Sequence, residues 1–159
     1  MIVLKIDIIS DLECIIYLYN ITSDIEFSDE FSIEKFLRTL FIKLKEYYNI
    51  KCEGYYDINV YIDDVYGVVL CLKKEEFEYY DYFSNQVEMR IIINRCKFLF
   101  LVDNFDYNRD NFDTYLYDGK IYLLPKKKLC NCDLYILIEH ATLIYNSGDI
   151  ICNGKKIIF

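Results

Sequence analysis

The sequence predicts an α+β protein made of two small two-layer units, each a β-sheet of about four mainly antiparallel strands that carries one amphipathic helix. Three observations support this class. The chain has 159 residues, 54% of them hydrophobic, which is enough to bury a core without disulfides or metals. Several segments alternate apolar and polar residues, as half-buried strands do. Two longer segments repeat apolar residues at the helical period instead.

The first unit, residues 1–73, predicts the element order β-β-α-β-β. Four segments are rich in β-branched and aromatic residues, and these are 1–9, 13–20, 56–62 and 65–72. The first two flank a turn at Ser10-Asp11-Leu12. Gly67 lies within the fourth segment and indicates a bulge or a close approach of backbone.

A helix is predicted between the two strand pairs. Ser32 is the expected N-cap, and Glu34 places a negative charge in the first turn, where it suits the helix dipole. Apolar residues then recur on one stripe over four turns: Ile33, Phe36, Leu37, Leu40, Phe41, Leu44 and Tyr48. We expect this stripe to pack on a sheet, with Phe36, Leu40 and Leu44 facing the core.

The rest of the chain predicts a linker and a second unit. Residues 74–86 are acidic and rich in tyrosine, as an exposed linker is. Residues 87–159 predict the order β-β-β-β-α with a short tail strand, and Asp118-Gly119 indicates a tight hairpin. The predicted helix runs over 133–145, and Gly148 is expected to end it. The sequence also allows both units to pack as one domain.

Charge is distributed unevenly along the chain. The formal net charge is -8, and residues 53–88 hold nine acids against only Lys73 and Lys74. An acidic middle disfavours direct binding of nucleic acid, because phosphate contacts need a basic face. It favours a partner protein with a basic surface. Two alternatives stay open: the acids only keep a tyrosine-rich surface soluble, or they mimic nucleic acid in an acidic inhibitor that blocks a basic channel of a host enzyme.

No catalytic, cofactor-binding or metal-binding residue is predicted. The chain lacks the phosphate-binding and nucleophile motifs. His140 is the only histidine, and Cys130 and Cys132 would give it two thiol neighbours, with Cys152 as a distant fourth ligand. We expect these thiols and the imidazole to have no shared site. A small enzyme that pairs a cysteine thiolate with His140 is the catalytic alternative.

Cysteine usage predicts a cytoplasmic protein. The seven cysteines come without a recognisable signal peptide or an apolar run long enough to span a membrane, so we expect free thiols and no membrane association. The excess of Ile, Asn, Lys and Tyr over Ala is typical of an AT-rich genome, such as that of a low-GC Gram-positive bacterium or its phage.

Two stretches resemble a known family. The first, within 36–73, includes Lys45-Glu46-Tyr47-Tyr48-Asn49-Ile50 followed by two strands, and the second is the tyrosine-rich hairpin 115–123 followed by a helix. Both are similar to MecA-type adaptor proteins of low-GC Gram-positive bacteria, over about half of the chain. The resemblance implies an adaptor that presents client proteins to a Clp-type unfoldase.

The leading functional prediction is a non-enzymatic protein–protein interaction or adaptor protein, monomeric or homodimeric. Tyrosine buries a large area at interfaces and keeps a polar end, so the linker is the expected binding segment. The predicted partner-binding residues are Glu75, Glu76, Glu78, Tyr79, Tyr80, Asp81 and Tyr82.

Overall fold

The computed structural model shows two compact units, each built on a five-stranded sheet. The structure describes residues 3–19, 29–49, 51–75, 86–103, 107 and 109–158. Unit 1 takes residues 1–62 and 67–94, and unit 2 takes residues 63–66 and 95–159. The predicted α+β class with two small sheet-plus-helix units is confirmed, with five strands in each sheet.

Unit 1 contains five strands and one long helix. They are β1 (Val3–Ile8), β2 (Glu13–Tyr19), α1 (Glu30–Tyr48), β3 (Gly54–Asp63), β4 (Gly67–Glu75) and β5 (Val87–Arg95). The strand order is β1-β2-β4-β3-β5, so β1 and β5 are the edges. β2 runs antiparallel to both β1 and β4.

The strand β5 joins the first sheet, whereas the sequence assigned residues 87–93 to the second unit. The Gly54 backbone N–H donates to the Gln86 carbonyl (2.9 Å), and the Asn94 side-chain amide donates to the Val60 carbonyl (3.4 Å). These bonds bring the starts of β3 and β5 together and their ends together, as in a parallel pair. Alternation along a strand predicts the strand but not its neighbour, which explains the difference.

Helix α1 begins one turn earlier than predicted. Asp29, and not Ser32, is the N-cap, because its carboxylate accepts the Ser32 N–H at 2.8 Å. This bond and the bond from the Ser32 hydroxyl lower the pKa of Asp29, the hydroxyl having the larger effect. The helix ends at Asn49, which adopts the left-handed conformation (φ 54°) and donates its N–H to the Lys45 carbonyl.

The core of unit 1 lies between α1 and one face of the sheet, as the stripe predicted. Ile33, Leu37 and Phe41 are the buried residues of α1. The strands contribute alternate residues that line one face, namely Ile16, Leu18, Ile58, Val60, Ile62, Val68, Leu70, Leu72 and Ile91. Phe36, Leu40 and Leu44 pack against this cluster but are only partly buried. The stripe is therefore rotated toward Leu37 relative to our prediction.

We predict that Leu37→Ala destabilises the protein more than Leu40→Ala does. Leu37 is fully buried, so its truncation leaves a cavity and should lower the free energy of unfolding by about 2–5 kcal/mol. Leu40 has solvent on one side and should cost less. Urea titration followed by circular dichroism measures both, with the exposed Lys43→Ala as the control on the same helix. Equal losses for the two leucine variants would contradict the observed rotation.

Unit 2 is an all-antiparallel sheet with two short helices. Its elements are β6 (Leu99–Val102), β7 (Phe112–Tyr117), β8 (Lys120–Pro125), α2 (Asn131–His140), β9 (Ala141–Ile144), α3 (Gly148–Asn153) and β10 (Lys155–Ile157), with a 3-10 turn at Arg109–Asn111. The strand order is β10-β7-β8-β6-β9. The predicted hairpin turn is present, because Asp118 (φ 49°) and Gly119 (φ 72°) both adopt the left-handed conformation.

The prediction of a helix over 133–145 is wrong at the C-terminal end of that range. The helix stops at His140, and Ala141–Ile144 pairs with Leu99–Val102 as a strand. β6 is almost fully buried, so its backbone groups need partners on both sides, and β8 supplies only one. Sheet pairing therefore overrides the helical periodicity. Gly148 was expected to end that helix, but it is instead the first residue of α3.

A buried carboxylate organises the entry into unit 2. Asp63 is 8% exposed and accepts the N–H groups of Val65 (2.8 Å) and Tyr66 (3.2 Å) with one oxygen. Its other oxygen accepts the N–H of Phe98 (2.8 Å). Burial, and secondly the Asp63 charge, raise the pKa of the Cys96 thiol to about 11. One side chain thus joins the Asp63–Tyr66 turn to the segment that precedes β6.

We predict that Asp63→Ala destabilises the protein and that Asp64→Ala does not. The first change leaves the buried Phe98 N–H without its acceptor, which costs about 1–3 kcal/mol. Asp64 is 80% exposed and pairs with Arg95 at the surface, so its removal should cost less than about 1 kcal/mol. Urea unfolding of both variants measures the difference. Equally small losses in the free energy of unfolding would show that the three hydrogen bonds of Asp63 contribute little to stability.

Candidate functional site

The predicted binding segment is represented in the structure by Glu75 alone. Glu75 is the last residue of β4 and is half-buried. The other predicted partner-binding residues, Glu76, Glu78, Tyr79, Tyr80, Asp81 and Tyr82, lie outside the described residues. Their role stays a prediction from the sequence.

Two of the residues considered for metal binding, Cys130 and His140, lie at opposite ends of α2. His140 is the last residue of α2 and is exposed. Cys130 is the N-cap of the same helix, and its sulfur accepts the Asp133 N–H at 3.5 Å. Within the part of the chain that the structure describes, no group of three His, Cys, Asp or Glu side chains is arranged to hold a metal ion.

None of the seven cysteines forms a disulfide, and six of them fall into two classes. Burial raises the pKa of the Cys14 and Cys52 thiols, as it does that of Cys96. Cys130, Cys132 and Cys152 are exposed instead. Because the thiolate is the reactive form, the first class is chemically protected and the second is accessible.

We predict seven titratable thiols in the unfolded chain without reductant, and an ordered reaction in the native protein. At pH 8 the exposed thiols should react first with a disulfide reagent. Cys14, Cys52 and Cys96 should react last, because their raised pKa values leave little thiolate. Mass spectrometry after timed quenching assigns the order. Four or fewer thiols in the unfolded chain would mean that disulfides or bound metal had been overlooked.

The candidate site is a groove in unit 1 between α1 and the edge strand β5. Its volume is about 520 Å³. Its lining combines four charged side chains, three apolar ones, one amide and one thiol: Arg38, Phe41, Ile42, Lys45, Cys52, Glu53, Gln86, Val87 and Glu88. We call this feature the α1–β5 groove.

The walls of the α1–β5 groove are held by polar contacts. Arg38 forms an ion pair with Glu34 (2.7 Å) and donates to the Val87 carbonyl (2.8 Å), so one side chain joins the helix to the strand. Lys45 contacts Glu53 at 3.3 Å. The backbone N–H of Glu53 and this lysine lower the pKa of the Glu53 carboxyl, the N–H having the larger effect. The rim therefore carries fixed charges of both signs.

The floor of the groove is apolar. Phe41 is buried and stacks on Tyr56, with ring centroids 5.1 Å apart. Ile42 extends into solvent on the same wall and is 57% exposed. The Cys52 thiol is buried and has a raised pKa, so it is a poor nucleophile. An apolar floor with a charged rim suits the binding of a peptide segment more than covalent chemistry.

The sequence contained one signal for this site that periodicity alone did not reveal. Ile42 is apolar but lies off the core-facing stripe of α1, beside Arg38 and Lys45 on the same helix side. A large apolar residue outside the stripe is a candidate for contact with a partner. The contribution of Gln86–Glu88 depends on the placement of β5 next to β3, which local patterns do not encode.

Comparison of the chain with protein-family models, curated proteins and solved structures gave no match. The resemblance to MecA-type adaptors therefore stays a prediction. Among the described residues, no helix is both long and apolar enough to cross a membrane.

Proposed function

We propose that this protein is a cytoplasmic, non-enzymatic interaction or adaptor protein that holds an extended segment of a partner protein in the α1–β5 groove. The observation that carries the proposal is the position of the groove beside an edge strand. An extended segment laid against β5 would gain main-chain hydrogen bonds from the strand and side-chain contacts from the helix. Seven cysteines with no disulfide among them support a reducing compartment.

The partner that suits this surface has an apolar anchor within a basic segment. Phe41, Ile42 and Val87 provide the apolar contact, and Glu88 adds an exposed carboxylate at the rim. The excess of acids in residues 53–88 would steer a basic partner toward the same part of the chain. In this arrangement the aromatic and aliphatic residues would determine the affinity for the partner, and the acids would increase the association rate.

An adaptor role for a Clp-type unfoldase is the specific form that the MecA-type resemblance suggests. In that form the partner segment belongs either to a client or to the unfoldase. The acidic inhibitor that mimics nucleic acid is the competing proposal, and it needs no groove. The two proposals differ in which side chains matter, since one depends on Ile42 and the other on charge alone.

We predict that Ile42→Asp weakens partner binding roughly tenfold or more, whereas Phe31→Asp does not. Both residues are large, apolar and exposed on α1, but only Ile42 lines the groove. The experiment captures proteins from the cytosol of the source cell on immobilised wild type and on both variants, and then measures the affinity of the recovered partner by surface plasmon resonance. Urea unfolding of each variant verifies the fold.

Kinetics with that partner separate the two proposals. Reversal of Glu75, Glu76 and Glu78 to Lys should mainly slow association and weaken its salt dependence, and Tyr80→Ala should mainly speed dissociation. A partner bound equally by wild type and Ile42→Asp but lost on charge reversal would favour the acidic inhibitor. Recovery of no partner above background would count against both.

A further inference from the structure

We infer that the outer edge of unit 1 is a dimerisation surface, at which β1 pairs with β1 of a second copy of this chain in an antiparallel, two-fold symmetric manner. The surface is separate from the α1–β5 groove, because β1 and β5 are opposite edges of the same sheet. The inference therefore does not rest on the proposed function.

The first observation is an apolar edge that the described part of unit 1 leaves exposed. In the register with β2, Ile6 lies opposite Ile16 and Ile8 lies opposite Cys14, so both isoleucines point to the face of the sheet that α1 covers further in. Ile16 is 3% exposed, but Ile6 is 44% exposed and Ile8 is 78% exposed. An edge strand with exposed aliphatic residues is a ready template for pairing with another strand.

The second observation is that the strand is complementary to itself. Its sequence, Val3-Leu4-Lys5-Ile6-Asp7-Ile8, places opposite charges one residue on either side of Ile6. An antiparallel pair centred on Ile6 puts Lys5 of each copy opposite Asp7 of the other, twice by symmetry. The same pairing puts Ile6 opposite Ile6. Self-complementarity of this kind is what a two-fold interface requires.

The charges also disfavour a parallel in-register pairing of the strand with a second copy. Lys5 and Asp7 project to the same face, where they contact each other at 3.6 Å, and the Lys5 ammonium lies 5.2 Å from the centre of the Tyr17 ring. Both are partly exposed and available for a second contact. A parallel in-register pair would place lysine on lysine and aspartate on aspartate, which is destabilising. The pattern therefore favours a closed dimer over an open fibre.

The opposite edge provides an internal comparison. β5 also carries opposite charges around one residue, in Glu88-Met89-Arg90. However, Met89 packs against the core of unit 1, and the Val87 carbonyl already accepts a hydrogen bond from Arg38. Charge spacing alone is thus present at both edges. β5 has one exposed aliphatic residue, Ile92 (43% exposed), whereas β1 has two that point to the same face, including Ile8 at 78%.

The test is a charge exchange between two variants of the full chain. Lys5→Asp gives a strand with two acids, and Asp7→Lys gives a strand with two lysines. Each variant places like charges opposite each other at both symmetric positions, so the dissociation constant of the dimer should rise at least roughly tenfold. An equimolar mixture restores both opposite-charge contacts and should form a heterodimer. Arg90→Glu on β5 is the matched control and should dimerise like the wild type.

Sedimentation velocity over a concentration series measures all five samples. Support requires a wild-type dimer that does not grow further, weaker self-association of each β1 variant, and recovery of the dimer in the mixture. Recovery in the mixture also shows that both variants are folded. The inference is overturned by a wild type that stays monomeric at its highest soluble concentration, by variants that dimerise like the wild type, by a mixture that associates no better than its components, or by oligomers beyond the dimer.

Discussion

The Asp63 carboxylate is the constraint on which the arrangement of unit 2 depends. The chain passes between the units after residues 62, 66 and 94, and Asp63 stands at the first of these passages. By accepting N–H groups from Val65, Tyr66 and Phe98, it fixes a short turn and a distant segment with one buried charge. The cost of burying that charge is offset by three hydrogen bonds to the ionised form. Neighbouring contacts reinforce the turn, since the Tyr66 hydroxyl donates to the Lys127 carbonyl at 2.8 Å.

Local patterns in the sequence were sufficient for the elements that depend on local physics. The stripe from Ile33 to Leu44 marked α1, and Asp118-Gly119 marked a hairpin, because helical periodicity and left-handed turns are properties of neighbouring residues. Ser32 was chosen as the N-cap because it satisfies the same preference as Asp29 three residues earlier. The two candidates differ only in which side chain accepts the first N–H groups.

These local patterns did not predict the elements that depend on partners distant in the sequence. Residues 141–144 continue a helical repeat, yet they form β9 because the buried strand β6 requires a second neighbour. The placement of β5 beside β3 has the same origin. For the same reason the sequence did not predict the candidate site, since the α1–β5 groove exists only because β5 lies in the first sheet. The sequence did identify the acidic stretch that ends next to Gln86, because charge is a property of composition.

The strand order of unit 1 has a consequence for how the chain is made. β2 is complete at Tyr19, but its partner β4 begins only at Gly67. In the same way, one edge of β3 stays unpaired until β5, which ends at Arg95, has been synthesised. During synthesis from the N-terminus, the hairpin of β1 and β2 therefore emerges with one permanent edge and one temporary edge. Pairings of large sequence separation form slowly, and exposed edges favour association of unfinished chains. Until β4 emerges, the inner edge of β2 is open to the same strand-to-strand pairing as the outer edge of β1.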